Sequence, residues 1–350
     1  MRAFTCERCG QLLFFENSLC LRCGAALGFV PSRLDMVALE MHPSETYRAC
    51  ANATLAACNW LIEPGDSVPL CRSCVLTRTR PADTDAEGLR QFATAEGAKR
   101  RLLLQLYDLR LPIDDELAFD LLSSRVGPVT TGHQDGLITI DLTESDDARR
   151  EARRTELGEA YRTLLGHFRH EIGHYYFPML VSAEALLDEA RALYGDERED
   201  YQAALERHYR DGPPTDWPER HVSAYATMHP FEDWAETFAH YLHIRDTLQT
   251  AAAFGIIVAG PEESHELSLT AAPEQDVGRR SMQAVLSDWF PLTYALNAVN
   301  RSMGAADLYP FTLAPTVIDK LAFVHDRVLA ARQALILRPG GGARTPERLA

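Results

Sequence analysis

Apolar residues recur at helical spacing at Leu157, Tyr161, Leu164, Leu165, Phe168 and Ile172, which predicts an amphipathic helix with a core-facing stripe. Pro178 predicts its end. His167, His170, Glu171 and His174 fall on a different face of the same helix. One face therefore serves a core and another a cleft. A second long helix is predicted from Phe231 to about Leu248, with Pro230 in its first turn and Glu232 and Asp233 at its positive N-terminal end. Shorter helical patterns cover residues 87–109, with Leu102, Leu103, Leu106 and Leu109 on the apolar side, and residues 117–122. Two acidic helical stretches follow at 183–194 and 198–210, and two more helices at 279–300 and 316–335. Residues 129–142 read as a hairpin, with Gly132-His133-Gln134-Asp135-Gly136 as the turn and Leu137 to Leu142 as a strand. Residues 81–85 and 212–218 are predicted loops, residues 253–276 a loop with a short strand, and residues 338–350 a disordered tail.

Length and composition narrow the class. A chain of 350 residues accommodates one large domain plus small appendages. No apolar run reaches the roughly 18 residues of a membrane helix, and Met1 to Cys6 contains no apolar leader segment, so neither a membrane span nor a secretory signal is expected. The net charge of −15 argues against nucleic acid or an anionic membrane surface as a partner for the whole body. Lysine is nearly missing, with only Lys99 and Lys320, which reads as a coding bias.

All eight cysteines lie in the first 74 residues. Without an export signal, clustered cysteines favour metal over disulfides and place the protein in the cytoplasm. Cys6-x2-Cys9 and Cys20-x2-Cys23 form a zinc-ribbon pattern over residues 1–28, too short to fold without metal. Cys50, Cys58, Cys71 and Cys74 form a second set in residues 29–80. Its first two members are loosely spaced, so a four-thiolate zinc site stands against buried thiols beside a coincidental pair. Eight arginines against seven acids in residues 1–80 point to a protein contact or a structural cap at the ribbon, not nucleic acid.

The histidine face carries the chemistry. His170-Glu171-x2-His174 places two imidazoles one turn apart, where both can point at one metal ion, with Glu171 beside a bound water. Zinc suits that pair, and a catalytic site needs a third protein ligand and an open position. The ligand is expected on a later helix as a carboxylate or His. Glu232 and Glu236 share a face there, so one can bind metal while the other accepts the free N–H of a ligating His. His167 is expected to line the cleft, His240 and His243 to be buried and hydrogen-bonded, and His229 to neighbour the helix cap or serve as the oxyanion donor.

Glu232-x2-Ala235-Glu236, with Tyr225 seven residues before its first Glu, resembles the gluzincin metallopeptidases and, within them, the anthrax lethal-factor-like group. That resemblance covers about 35 residues. It implies Glu232 as the third zinc ligand, Tyr225 as the group stabilising the oxyanion and Glu236 as the residue behind a ligand. The whole chain is also similar to a bacterial family of uncharacterised zinc-binding metallopeptidases. That likeness rests on the ribbon, Cys58-Asn59-Trp60-Leu61, Cys71-x2-Cys74-x-Leu76-Thr77-Arg78, the His-Glu-x-x-His segment, and Asn297, Arg301, Ser302, Gly304, Asp307 and Tyr309-Pro310-Phe311.

The expected fold is α+β: a mostly helical zincin-like domain over residues 81–337 with a small edge sheet, preceded by the two cysteine modules. The expected activity is peptide-bond hydrolysis by a zinc-activated water with Glu171 as general base, one catalytic and two structural zinc ions, and a protein or peptide substrate. Leu137 to Leu142 is the expected edge strand for pairing with that peptide. The competing readings are a non-enzymatic zinc-ribbon adaptor and a zinc amidohydrolase acting on a non-peptide amide.

Overall fold

Each Cys-x-x-Cys pair of the ribbon closes a tight turn. Gly10 and Gly24 follow the second cysteine of each pair at φ of 69° and 72°, a region open to glycine without strain. Their N–H groups donate to the carbonyls of Cys6 and Cys20, both at 2.8 Å. The computed structural model describes residues 2–44, 46–156, 163–260 and 280–336. These residues divide into two units, one built on Arg2–Glu151 and the other on Ala152–Ala330. The predicted residues Leu157 and Tyr161, the 261–276 part of the predicted loop and strand over 253–276, and the tail 338–350 lie outside the described residues.

In the first unit, β1 (Phe4–Thr5) pairs with β2 (Leu12–Leu13), β3 (Leu27–Val30) with β4 (Asp35–Ala38), and β5 (Arg48–Ala49) with β6 (Leu61–Ile62), all antiparallel. Their small core is aromatic. Phe15 meets Phe29 edge-on at 5.1 Å, and Phe29 meets Trp60 at 5.0 Å, so residues from both cysteine sets share one core.

A four-stranded sheet follows, in the order β7-β8-β10-β9. β7 (Thr77–Thr79) leads into α1 (Ala86–Leu109), capped by Asp85, and α1 crosses to β8 (Ala118–Leu122), which lies parallel to β7. Leu102, Leu103, Leu106 and Leu109 are buried, as the stripe predicts. Three expectations fail here. Residues 117–122 form a strand, not a helix: Leu117, Phe119 and Leu121 are buried at every second position, a period of two, and Asp120 pairs with Arg78 from β7. The hairpin exists between β9 (Gly132–Gln134) and β10 (Leu137–Asp141), but its turn is only Asp135-Gly136, both at positive φ. Finally, β10 is not an edge strand. It is parallel to β8 on one side and carries β9 against Leu137–Thr139 on the other, so most of its backbone is already paired.

The second unit is helical. It contains α3 (Leu164–Leu180), α4 (Glu184–Tyr194), α5 (Tyr201–Asp211), α6 (Pro230–Ala253), α7 (Met282–Ser302) and the greater part of α8 (Pro315–Ile336), while α2 (Asp147–Glu156) precedes them. Among the described residues no helix is long and apolar enough to cross a membrane. Thr163 caps α3, accepting the Gly166 N–H at 3.0 Å. Pro178 does not close α3: the helix runs on to Leu180, because a proline in the final turn removes one hydrogen bond while the Val181 N–H still reaches the Phe177 carbonyl at 2.9 Å.

α3 and α6 pack at close range through Gly173. A Cβ there would lie 3.0 Å from Ala235 Cα and 3.2 Å from its carbonyl oxygen. The Gly173 carbonyl accepts the Trp234 indole N–H at 2.8 Å. Phe168 and Ile172 are fully buried, each contributing roughly 1.5–3 kcal/mol. Gly173→Ala should therefore force two backbones apart and cost about 1–3 kcal/mol, read as a lower melting temperature. An unchanged melting curve would mean that the helices yield there freely.

Candidate metal centre

The α3–α6 contact brings the predicted donors together. His170 Nε2, His174 Nε2 and a Glu232 carboxylate oxygen all lie within 4.8 Å of one another. The two ring nitrogens are 3.2 Å apart, and Glu232 Oε2 lies 2.9 Å from His170 Nε2. All three residues are buried or nearly so, and Oε2 has no hydrogen-bond partner. His174 Nε2 lies 3.5 Å from the other oxygen, Oε1, and a buried carboxylate facing two imidazole nitrogens in this way fits a divalent cation bound by N and O ligands. Behind the ring, His170 Nδ1 is 2.7 Å from Glu236 Oε1, and Glu236 Oε2 accepts the Ser223 hydroxyl at 2.6 Å. With Nδ1 held on Glu236, the His170 ring is fixed with Nε2 toward Glu232 and His174.

The charges agree with this layout. Burial disfavours a charged His170 ring, but Glu232 and Glu236 outweigh it and push its pKa well above the usual value. Burial likewise opposes the Glu232 carboxylate, yet His170 and His174 hold it well below the ordinary range. Glu236 is held down to about 2 against burial by His170 and Ser223. The cluster thus attracts a positive charge, proton or metal. Glu171 is buried; against that burial, His167 and the neighbouring ring histidines keep it ionised. Its Oε1 is 3.1 Å from His167 Nε2, while Oε2 has no partner. His167 stands outside the donor group, as expected.

Tyr225 sits in a short 3-10 turn, Tyr225–Thr227, with its ring 5.9 Å from the His170 ring. Burial first, then Glu232, raises its pKa, so its hydroxyl stays a neutral donor. His229 is the N-cap of α6 itself, with Nδ1 accepting the Phe231 N–H and Nε2 donating to the Glu199 carbonyl. Both ring nitrogens are occupied, which removes it from the oxyanion role. His240 is buried, with Nδ1 2.7 Å from the Tyr309 hydroxyl, and His243 is half-buried against Trp289 and Tyr309. Asn297 holds Tyr309 in place by bonding both its N–H and its carbonyl.

Sequence reasoning missed Ser223, Tyr201 and Lys320. Tyr201 donates to Glu232 Oε1, and the buried Lys320 ammonium lies 2.6 Å from Asp233, the next residue along α6. The His167 contact was legible as an i, i+4 pair; the other three follow no local spacing.

The cysteines form two further groups, Cys6, Cys9, Cys20, Cys23 and Cys50, Cys58, Cys71, Cys74. All eight are free thiols. Neighbouring sulfurs are 3.6–3.7 Å apart in both groups. A tetrahedron with Zn–S bonds of about 2.3 Å has edges of about 3.8 Å, so both clusters match a four-thiolate zinc site.

Comparison with known proteins agrees with these features. Residues 3–85 match a zinc-ribbon domain, and residues 88–327 match the family described as "Putative zinc-binding metallo-peptidase". Uncharacterised proteins of Mycobacterium tuberculosis and Mycobacterium bovis are 51% identical to this chain over 333 residues, covering 93% of it and 94% of each relative. No solved structure matches. The two family matches meet near residue 86, whereas the two structural units part at Glu151, because α1 and its sheet pack with the cysteine modules. With most of its length matched and relatives alike from end to end, this chain belongs to the zinc-binding metallopeptidase family so described, carried behind an N-terminal zinc ribbon.

Proposed function

We propose that the chain is a zinc-dependent peptidase whose metal is held by His170, His174 and Glu232. The observation that carries this reading is the convergence of two imidazole nitrogens and an unpartnered, buried carboxylate oxygen, with a second carboxylate, Glu171, presenting a free oxygen beside them. Zinc held there would supply a water of lowered pKa, about 7, and polarisation of the scissile carbonyl. Glu171 is ionised and takes the proton of the attacking water, then delivers it to the leaving amine. His167 holds one oxygen of Glu171 so that the other faces the reaction. Tyr225 donates to the oxyanion that develops on the scissile carbonyl. Glu236 and Ser223 keep the His170 ring in one orientation. Two structural zinc ions in the cysteine clusters bring the total to three per chain, and eight unpaired thiols suit a reducing compartment such as the cytoplasm.

The direct test is a peptide library incubated with the zinc-loaded protein. Cleavage should stop on chelation and return with zinc. A protein loaded at all three sites that cleaves no peptide, yet hydrolyses a small acyl amide, would move it to the amidohydrolases; loading only at the cysteine clusters would leave an adaptor.

Ligand and supporting carboxylate should separate in metal content. Glu232→Gln should empty the His site. Glu236→Gln should keep the site but weaken zinc binding by roughly 10- to 100-fold, as lost supporting hydrogen bonds do. Chelator competition measures both, and exchanged outcomes would place the ligand one helical turn later.

A further inference from the structure

The two oxygens of Glu232 have different surroundings. Oε2 is buried, unpartnered and 2.9 Å from His170 Nε2. Oε1 accepts a hydrogen bond of 2.9 Å from the Tyr201 hydroxyl and lies 3.5 Å from His174 Nε2, so it too borders the donor group and Tyr201 competes for it. Tyr201 is the first residue of α5, whose start is fixed by the Asp200 carboxylate accepting the Ala203 N–H. Its ring packs on the His229 ring at 5.2 Å, and His229 caps the very helix that carries Glu232. The phenol is therefore tied to both helix starts. It is nonetheless 42% exposed, so it forms a solvent-facing wall of the site.

A carboxylate with both oxygens free can grip zinc through one or both. Two imidazoles and a two-oxygen grip supply four donors, the number found in closed, structural sites. A catalytic site keeps one position open. We propose that Tyr201 is a positioning residue of the metal centre: its hydroxyl occupies Glu232 Oε1, so that the carboxylate offers the metal Oε2 alone and a position stays open for water and the substrate carbonyl. The proposal rests on the reading of His170, His174 and Glu232 as zinc ligands. It separates Tyr201 from Tyr225, the phenol assigned to the oxyanion.

Tyr201→Phe tests this, because it removes the hydroxyl and keeps the ring on His229. Crystals of the zinc-loaded wild type should show one Glu232 oxygen at about 2.0–2.2 Å from the metal and the other on Tyr201. In Tyr201→Phe both oxygens should reach the metal. kcat should fall by roughly 10- to 100-fold with KM near the wild-type value, since the losses belong to a supporting contact and not to substrate binding. Melting of the two metal-free proteins should agree, which shows that the variant folds. A Tyr201→Phe protein whose Glu232 still binds zinc through one oxygen overturns the proposal whatever its activity. A wild type that binds zinc here but cleaves no peptide overturns the peptidase reading instead, and the coordination result still judges Tyr201.

Discussion

Glu171→Gln is expected to leave zinc bound at the His site while peptide hydrolysis falls by roughly 10²–10⁴-fold, the contribution of general acid–base catalysis. The substitution keeps side-chain size and helix propensity. It removes the charge and basicity of the carboxylate without removing a donor, since Glu171 is not in the group formed by His170, His174 and Glu232. Burial and the unpartnered Oε2 oppose the carboxylate, but His167 and the ring histidines outweigh them and hold its pKa below the usual range. A neutral Gln loses that attraction, so the metal-free variant should melt no higher than the wild type at neutral pH. Tyr225→Phe should also retain zinc and lose about 10²-fold or somewhat more in kcat, the effect of one oxyanion donor. Zinc per chain by mass spectrometry, read beside single-turnover cleavage, separates these outcomes from loss of the metal. Wild-type rates in Glu171→Gln would remove the proposed mechanism.

Cys71→Ser should have the largest effect on stability. Cys71 is fully buried, and its sulfur lies 3.6 Å from that of Cys58 within the second cluster. Structural zinc contributes on the order of 10–16 kcal/mol to folding in small modules, and a site that loses one of four thiolates forfeits most of it. The core beneath is small, a handful of aromatic rings including Phe15, Phe29 and Trp60, and cannot replace that contribution. The variant should therefore carry about one zinc less and become sensitive to protease within residues 2–80. Retention of full zinc content and a wild-type melting curve would show that the cluster is not a metal site. An intact mass lighter by two protons per cysteine pair in the wild type would point to disulfides instead.

The scarcity of lysine takes on a different meaning in the fold. Of the two lysines, Lys99 is buried 2.6 Å from Glu96 and Lys320 is buried 2.6 Å from Asp233. These two positions hold compact ammonium groups inside the protein, where each neutralises a buried carboxylate.

The chemistry of α3 was legible because it is local. Helical geometry alone puts His170 and His174 on one face and Glu171 beside them, and Cys-x-x-Cys spacing alone closes a metal turn. The carboxylate on α6 was legible only as a pair, since 57 residues separate His174 from Glu232 and either Glu232 or Glu236 could face the metal. Packing at Gly173 against Ala235 sets that register and turns Glu232 to the donors and Glu236 to the back of His170. Strand β8 was misread because six residues with apolar side chains at 117, 119, 121 and 122 fit a helix turn as well as a strand, and only pairing with β7 and β10 decides between them. For the same reason β10 could not be recognised as an inner strand: which edges are filled depends on chain segments far away. Composition and short-range spacing thus determined the cysteine and histidine donor sets and the helical character of the α3 face. The tertiary structure decided which carboxylate joins the two imidazoles and which hydroxyls hold the remaining oxygens, because hydrogen bonds from Tyr201 and Ser223 cross between elements that no sequence period relates.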